Sequence, residues 1–365
     1  MRVLVAPDKF GGTLTAVEAA EAIARGWARQ APHDELDLAP MSDGGPGFVD
    51  VLHASIGGDL LATTATDPYG RSVPGSVLRV DDSAYVESAQ ACGLHLTAEA
   101  DRRPERGTTY GVGQLVRAAA ESGAHTVVVG LGGSATNDGG AGLLAALGAT
   151  AEPSDALTGG PVGMSGLHAV DLGPARQLTS AVRIIAASDV DSPLLGLVGA
   201  TNVYGPQKGI AADRIQAVDA LLERFAAATD RRLALARGAG AAGGLGFGLM
   251  LLGASRTPGV DLVAQALGLA ARATDADLVV TGEGSFDFSS RAGKVPHGVA
   301  AVAQSALRPC IVLAGRVAMG SREMRALGVQ SAYAAVDLVG EQASLADPAG
   351  SVAALAERVA RTWSR

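Results

Sequence analysis

"LVAPDKFGGTLTAVEAAEAIARG", residues 4–26, passes from a run of aliphatic residues through Asp8, Lys9 and the pair Gly11-Gly12 into an Ala/Glu segment. The apolar run reads as a buried strand. The segment from 15 to 30 reads as a helix, because its apolar positions recur every three to four residues. The same pattern returns along the chain, with strands expected at 2–6, 35–39, 59–66, 76–80, 84–87, 126–130, 183–187, 278–281, 310–314 and 332–336. Helices are expected between many of them, at 15–30, 111–122, 139–147, 211–228 and 293–306. Such alternation predicts an α/β fold with parallel pairing. Residues 59–87 break the pattern, since "DPYGRSVPG" and "VDDSA" separate three strands with no room for helices; an antiparallel meander is expected there. The change predicts a Rossmann-like parallel-sheet domain built from both chain ends, 1–57 plus 265–365, with a second, mixed α/β domain inserted at 58–264. The active site is expected in the cleft between them. Residues 151–166 are turn-rich and read as a surface loop.

With 365 residues, 48% of them hydrophobic, the chain has enough apolar side chains for two cores. A net charge of −8 argues against nucleic acid and against an anionic membrane, because both demand a basic face. Small molecules are the expected partners. No basic-then-apolar leader precedes the first strand and no run of about 18 apolar residues occurs, which points to the cytoplasm. Oligomeric state is not legible. Cys92 and Cys310 stand far apart in apolar surroundings and read as buried free thiols, and six scattered histidines have no ligand spacing, so no zinc site is expected.

Only three of the 29 basic side chains are lysines, and Lys9, Lys208 and Lys294 all lie in Gly- or Pro-flanked segments ("DKFGG", "YGPQKG", "RAGKVP"). A compact ammonium there suits phosphate or carboxylate. Acids cluster with glycines in "SDGGPG" (42–47), "GLGGSATNDGGAG" (130–142), "ASDVDSPLLG" (187–196) and "TGEGSFD" (281–287). Three of these loops follow an expected strand, which is where open α/β sheets place ligands. Anion-binding amides, carboxylates and a few cations together are what phosphoryl transfer requires. Two stretches also imitate a dinucleotide fingerprint. "GLGGSA" follows a strand but has no clear ribose-binding acid about 20 residues on, and "GAGAAG" (238–243) follows a helix-like segment. A nicotinamide-dependent dehydrogenase is therefore the weaker alternative. The second stretch also reads as glycine-permitted close packing of a helix against a strand.

Taken together, "APDKF", "SDGG", "TYGVGQL", "GLGGSATNDGGAG", "ASDVDSPLLG", "YGPQKG", "GAGAAGGLG", "TGEGSFD" and "GKVPHGVA" resemble the bacterial glycerate kinases of type I from end to end. The resemblance implies ATP- and Mg²⁺-dependent phosphorylation of D-glycerate to 2-phosphoglycerate. The chain departs from the family pattern at Gly11, where a lysine is usual, at Pro46 and Phe48, where an acid and a threonine are usual, and at Phe288-Ser289, where Gln-Ser is usual. These departures keep a non-catalytic glycerate- or nucleotide-binding homologue as a second alternative. On the kinase reading, Asp189, Lys294 and Asp8 are the expected catalytic residues, and Asp189 and Asp191 are the pair for Mg²⁺ and general base, with Glu283 completing the metal shell. The amides of Gly132, Gly133 and Ser134, at the start of the helix after strand 126–130, are expected to cradle phosphate with Lys208. Lys9, Arg71, Asn137 and Asp138 are expected to bind substrate.

Overall fold

Residues 16–30 form a helix for reasons visible at both its start and its face. Thr15 caps it: the Thr15 hydroxyl accepts the Glu18 N–H and the Glu18 carboxylate accepts the Thr15 N–H, a reciprocal pair that satisfies two otherwise orphaned donors. Ala16, Ala19, Ala20, Ile23, Gly26 and Trp27 then bury one stripe. Ile23 and Trp27 are fully buried, each stabilising the fold by about 1.5–3 kcal/mol. The computed structural model of the protein describes residues 1–288 and 294–364. Ser289 and Gly293, singled out from the sequence, lie outside the described residues.

The chain falls into two units, Met1–Asp43 with Asp50–Gly57 and Val260–Arg365, and Gly44–Val49 with Gly58–Gly259. The first holds a five-stranded parallel sheet in the order Ser331–Ala334, Cys310–Val317, Leu278–Phe286, Arg2–Val5, Glu35–Leu38. From Arg2–Val5 the chain crosses by helix Ala16–Gln30 to Glu35–Leu38 on one side, whereas Leu278–Phe286 leads by helix Val295–Ser305 to Cys310–Val317 on the other. The order therefore reverses between Arg2–Val5 and Leu278–Phe286, and such a reversal opens a crevice at the carboxyl ends of the two strands. Val3, Val5, Leu278, Val280, Ile311 and Leu313 meet Trp27, Leu355 and Val359 in the core of this unit.

Helix Ala16–Gln30 packs closely on helix Pro348–Trp363, and the closeness depends on one missing methyl. A Cβ on Gly26 would lie 1.9 Å from the Ala353 carbonyl oxygen. Gly26→Ala should thus destabilise the protein by about 1–3 kcal/mol through overpacking, despite the gain in helix propensity of about 1 kcal/mol. A lower urea midpoint with an unchanged slope is the expected result, and a raised midpoint would contradict it.

The second unit carries a six-stranded mixed sheet in the order Ser255–Thr257, Arg183–Ala187, Thr126–Gly130, Ser83–Glu87, Ser72–Val80, Asp59–Thr66. The first four strands are parallel, and the last three form the antiparallel meander expected from the turn residues at 67–75 and 80–84. Its core joins Val77, Val86, Val127, Val129 and Leu115 to Phe225 and Phe247, whose rings meet edge to face at 5.6 Å.

Three expectations need correction. The turn-rich stretch 151–166 is not a simple surface loop: Thr150–Glu152 pairs with Ala169–Asp171, and Ala156, Leu157 and Met164 are buried. Their apolar side chains outweigh the local turn chemistry. The helix expected at 139–147 runs only over Ala141–Ala146, because Gly139 and Gly140 have φ of 65° and 80°. The strand expected at 278–281 continues to Phe286, paired with an equally extended Cys310–Val317.

Candidate active site

The overhang of Leu278–Phe286 beyond its neighbour Arg2–Val5 shapes the crevice in the first unit. The ladder continues past the strand: Ala6 N–H donates to Val280 O at 2.7 Å and Asp8 N–H to Gly282 O at 2.8 Å. This sets Asp8 and the buried Glu283 on adjacent backbones at the switch point. Lys9 follows, its Nζ 3.4 Å from Asp43 Oδ1 and 3.7 Å from Asp8 Oδ1. Lys294 stands at the N-cap of helix Val295–Ser305. Asp8, Lys9, Glu283 and Lys294 all line one cavity of about 600 Å³, with Asp43, Asp287, Arg316 and Glu341. Burial pushes the Asp8 carboxyl up to about 6, the Asp43 charge adding to the rise and Lys9 opposing it.

Sequence reasoning singled out four of these residues. Asp43 and Asp287 were visible only as members of the "SDGG" and "GEGSFD" loops. Arg316 and Glu341, which form an ion pair, carried no local signal.

A second, smaller pocket of about 120 Å³ lies in the other unit, lined by Gly132, Gly133, Ser134, Tyr204, Lys208 and Gly243. The expected phosphate cradle and Lys208 are thus brought together. The loop does not open a helix, however; it is pinned laterally, with Leu94 N–H donating to Gly133 O at 2.8 Å and Ala135 N–H to Cys92 O at 2.7 Å. Lys208 is buried at the end of helix Ala200–Lys208, and its Nζ donates to Ser134 Oγ at 2.9 Å and Thr136 O at 2.6 Å. Burial lowers its amine to about 8, against the nearby Asp138 carboxylate, which favours protonation. The buried Cys92 and Cys310 are free, and burial pushes both thiols up to about 12.

The "GAGAAG" stretch serves this pocket by packing. Ala242, Gly243 and Gly244 have φ of 50°, 71° and 88°, and a Cβ on Gly243 would lie 1.9 Å from Thr136 O and 2.7 Å from Lys208 Nζ. Glycine is required for that approach. The close partner is the loop at 136–140 and not a strand.

The remaining expected residues are not gathered at either cavity. Asp138 is buried and accepts four hydrogen bonds, from Thr109 N–H (2.8 Å), Thr109 O–H (2.9 Å), Gly140 N–H (3.1 Å) and Gly142 N–H (3.1 Å). Burial raises its pKa against those donors. Asn137 is buried with Nδ2 donating to Thr201 Oγ1 at 2.9 Å, and its Oδ1 has no hydrogen-bond partner among the described residues. Arg71 holds the turn after Asp59–Thr66, with Nε 2.5 Å from Asp67 Oδ2 and the guanidinium also donating to Leu96 O and Thr97 Oγ1. Asp191 is exposed and lies 2.5 Å from Arg237 and 2.8 Å from Arg256, cations that hold its carboxyl below the usual range. Asp189 is half-buried just beyond Arg183–Ala187. Among the described residues no three His, Cys, Asp or Glu side chains are grouped closely enough to hold a metal by themselves.

A family model described as the glycerate kinase family matches residues 3–364. Glycerate kinase of Bacillus subtilis is 39% identical over 92% of this chain and 90% of its own length. Glycerate 2-kinase of Escherichia coli K12 is 36% identical over 93% and 92%. The crystal structure of a putative glycerate kinase 2 from Salmonella typhimurium LT2 superposes with a TM-score of 0.82 at 35% identity, covering 99% of this chain and 98% of that one. The α/β architecture, the lysine-bearing loops and these likenesses lead to one assignment: the chain belongs to the glycerate kinase family and is a phosphotransferase.

Proposed function

We propose that the protein transfers the γ-phosphoryl group of ATP to the C2 hydroxyl of D-glycerate, giving 2-phosphoglycerate, and that it works in the cytoplasm with Mg²⁺. The observation that carries this reading is the convergence of Asp8, Lys9, Glu283 and Lys294, drawn from opposite ends of the sequence, on one cavity. Such transfer needs cations on the phosphates, a carboxylate to take the acceptor's proton and hard oxygen donors for a divalent ion.

The donor set of the first unit fits Mg²⁺. Buried Glu283, with Asp43 and Asp287 on the same cavity, offers carboxylate oxygens, and the ion's remaining ligands are ordinarily water and substrate phosphate, so no three-carboxylate cage is required. Bound there, the ion supplies charge neutralisation of the phosphate oxygens. Asp191 fits poorly, because two arginines already engage it. Asp189, just beyond Arg183–Ala187, stays a candidate for the catalytic role expected of it.

Lys294, at the head of its helix, adds charge to a helix N-terminus and suits the transferring phosphoryl group. Asp8, with a pKa near the working range, suits removal of the acceptor's proton. The pocket of Lys208, Gly132, Gly133 and Ser134 is too small for a whole nucleotide and is sized for one anionic group, a phosphoryl or the carboxylate of a three-carbon acid.

Lys9 should contribute binding more than chemistry, since its ammonium rests against Asp8 and Asp43 at the cavity wall. Lys9→Ala should raise KM for glycerate about tenfold and lower kcat by less. The reverse split would move Lys9 to the phosphoryl-transfer step. Phosphorus NMR of a reaction with ATP, D-glycerate and Mg²⁺ tests the whole proposal. A 2-phosphoglycerate resonance is expected, 3-phosphoglycerate alone would overturn the C2 assignment, and nucleotide or glycerate binding without turnover would favour the non-catalytic homologue.

A further inference from the structure

The cavity of the first unit changes character along the strand order. Asp8, Lys9 and Glu283 come from the ends of Arg2–Val5 and Leu278–Phe286, whereas the far wall, built after Ser331–Ala334, sets apolar Val336, Leu345, Pro348 and Val352 beside Glu341, which pairs with Arg316. Leu345 belongs to a short helix, Glu341–Ala346, and is 65% exposed although it borders the cavity. Val352 is buried. The space, about 600 Å³, exceeds what a three-carbon acid and one phosphate need and falls in the range of pockets that enclose a nucleotide-sized ligand. Two strand spacings, about 10 Å, separate the strand bearing Glu283 from Ser331–Ala334. That is the order of the distance from base to inner phosphates in an extended nucleotide.

We propose that Val336, Leu345, Pro348 and Val352 form the seat of the nucleotide's purine base, with Glu341 and Ser344 on the same wall accepting from the ribose hydroxyls. This rests on the kinase reading above and adds to it the side of the cavity that selects a nucleoside. An apolar wall supplies contact area for a flat base but no attraction for a bare polyphosphate, so the two parts of the ligand are recognised by different residues. The charged end grips the phosphates. The apolar end distinguishes ATP from tripolyphosphate.

The test uses the full chain with Leu345→Asp and Val336→Asp, neither position being fully buried. Binding of the fluorescent nucleotide mant-ADP is titrated with Mg²⁺ present, and KM values for ATP and glycerate are measured beside inhibition by tripolyphosphate. Each variant should weaken mant-ADP binding and raise KM for ATP at least about tenfold, leave KM for glycerate within about twofold, and keep tripolyphosphate inhibition. Leu345→Met should restore nucleotide affinity to near wild type. Unchanged mant-ADP affinity in both aspartate variants, with the wild type active, would overturn the base site alone. Tight mant-ADP binding by a wild type that never phosphorylates glycerate, weakened in the two variants, would uphold the base site and overturn the functional reading.

Discussion

Asp8→Asn should give a protein slower than wild type by on the order of a hundredfold or more in kcat/KM, yet more stable above pH 6. Both effects follow from one buried carboxyl. Its ordinary pKa of 3.8 is raised to about 6 in the folded chain, chiefly by burial. Between those values the native state holds a proton that the unfolded state has released. Stability therefore falls as pH rises through this window, and above pH 6 the native protein bears the full cost of the buried charge. Asparagine removes that cost while retaining an oxygen to accept the Lys9 N–H, which now donates to Asp8 Oδ1 at 2.7 Å. A gain of about 1–3 kcal/mol is expected at pH 8, the two-unit shift setting the upper end and the nearby Lys9 charge reducing it. Below pH 4 the difference should vanish, because Asp8 is then protonated in both states. Thermal melts at pH 4 and pH 8 check the stability, and the acidic limb of the wild-type kcat/KM profile, near pH 6, checks the catalytic role. A variant less stable than wild type at pH 8 would contradict the argument. Stability given up for function is a recurrent property of active sites.

Asp138→Ala should do the opposite, with the largest effect on folding. Four donors, from Thr109, Gly140 and Gly142, point at this carboxylate in the core of the second unit. Alanine would leave them without their acceptor, a loss of about 3–5 kcal/mol, comparable to breaking a buried charged network. Asp138 also helps to keep the Lys208 amine protonated, so its removal should lower that pKa further. Urea denaturation measures the first effect, and a midpoint within error of wild type would refute it. Asp138 was expected to bind substrate, and its four intramolecular bonds give it a structural duty that residue type and motif position could not reveal.

Much of the fold was readable because local periodicity reports burial. Strands 59–66, 126–130 and 183–187 were placed to the residue, since each is an apolar or β-branched run bounded by turns. Thr150–Glu152, Ala169–Asp171 and Ser255–Thr257 were missed, being three residues long and exposed or half-buried, with no period to detect. The site was legible in part. Asp8, Lys9, Glu283 and Lys294 were marked by unusual lysines and by acids among glycines, whereas the apolar wall from Val336 to Val352 looks like any helix-rich segment.

By itself the sequence determined the strand and helix alternation, the antiparallel interruption at 59–87, and the motif blocks that signal a glycerate kinase. Only the tertiary structure decided which loops share a cavity. Residues 8–13 and 283–287 meet because Val3 pairs with Leu278 in a parallel ladder, a contact between distant parts of the chain that no local window encodes. It likewise decided that Asp191 faces Arg237 and Arg256 and that Asp138 faces four donors. A carboxylate's chemistry is set by the charges, donors and solvent around it, and those neighbours arrive from distant parts of the chain.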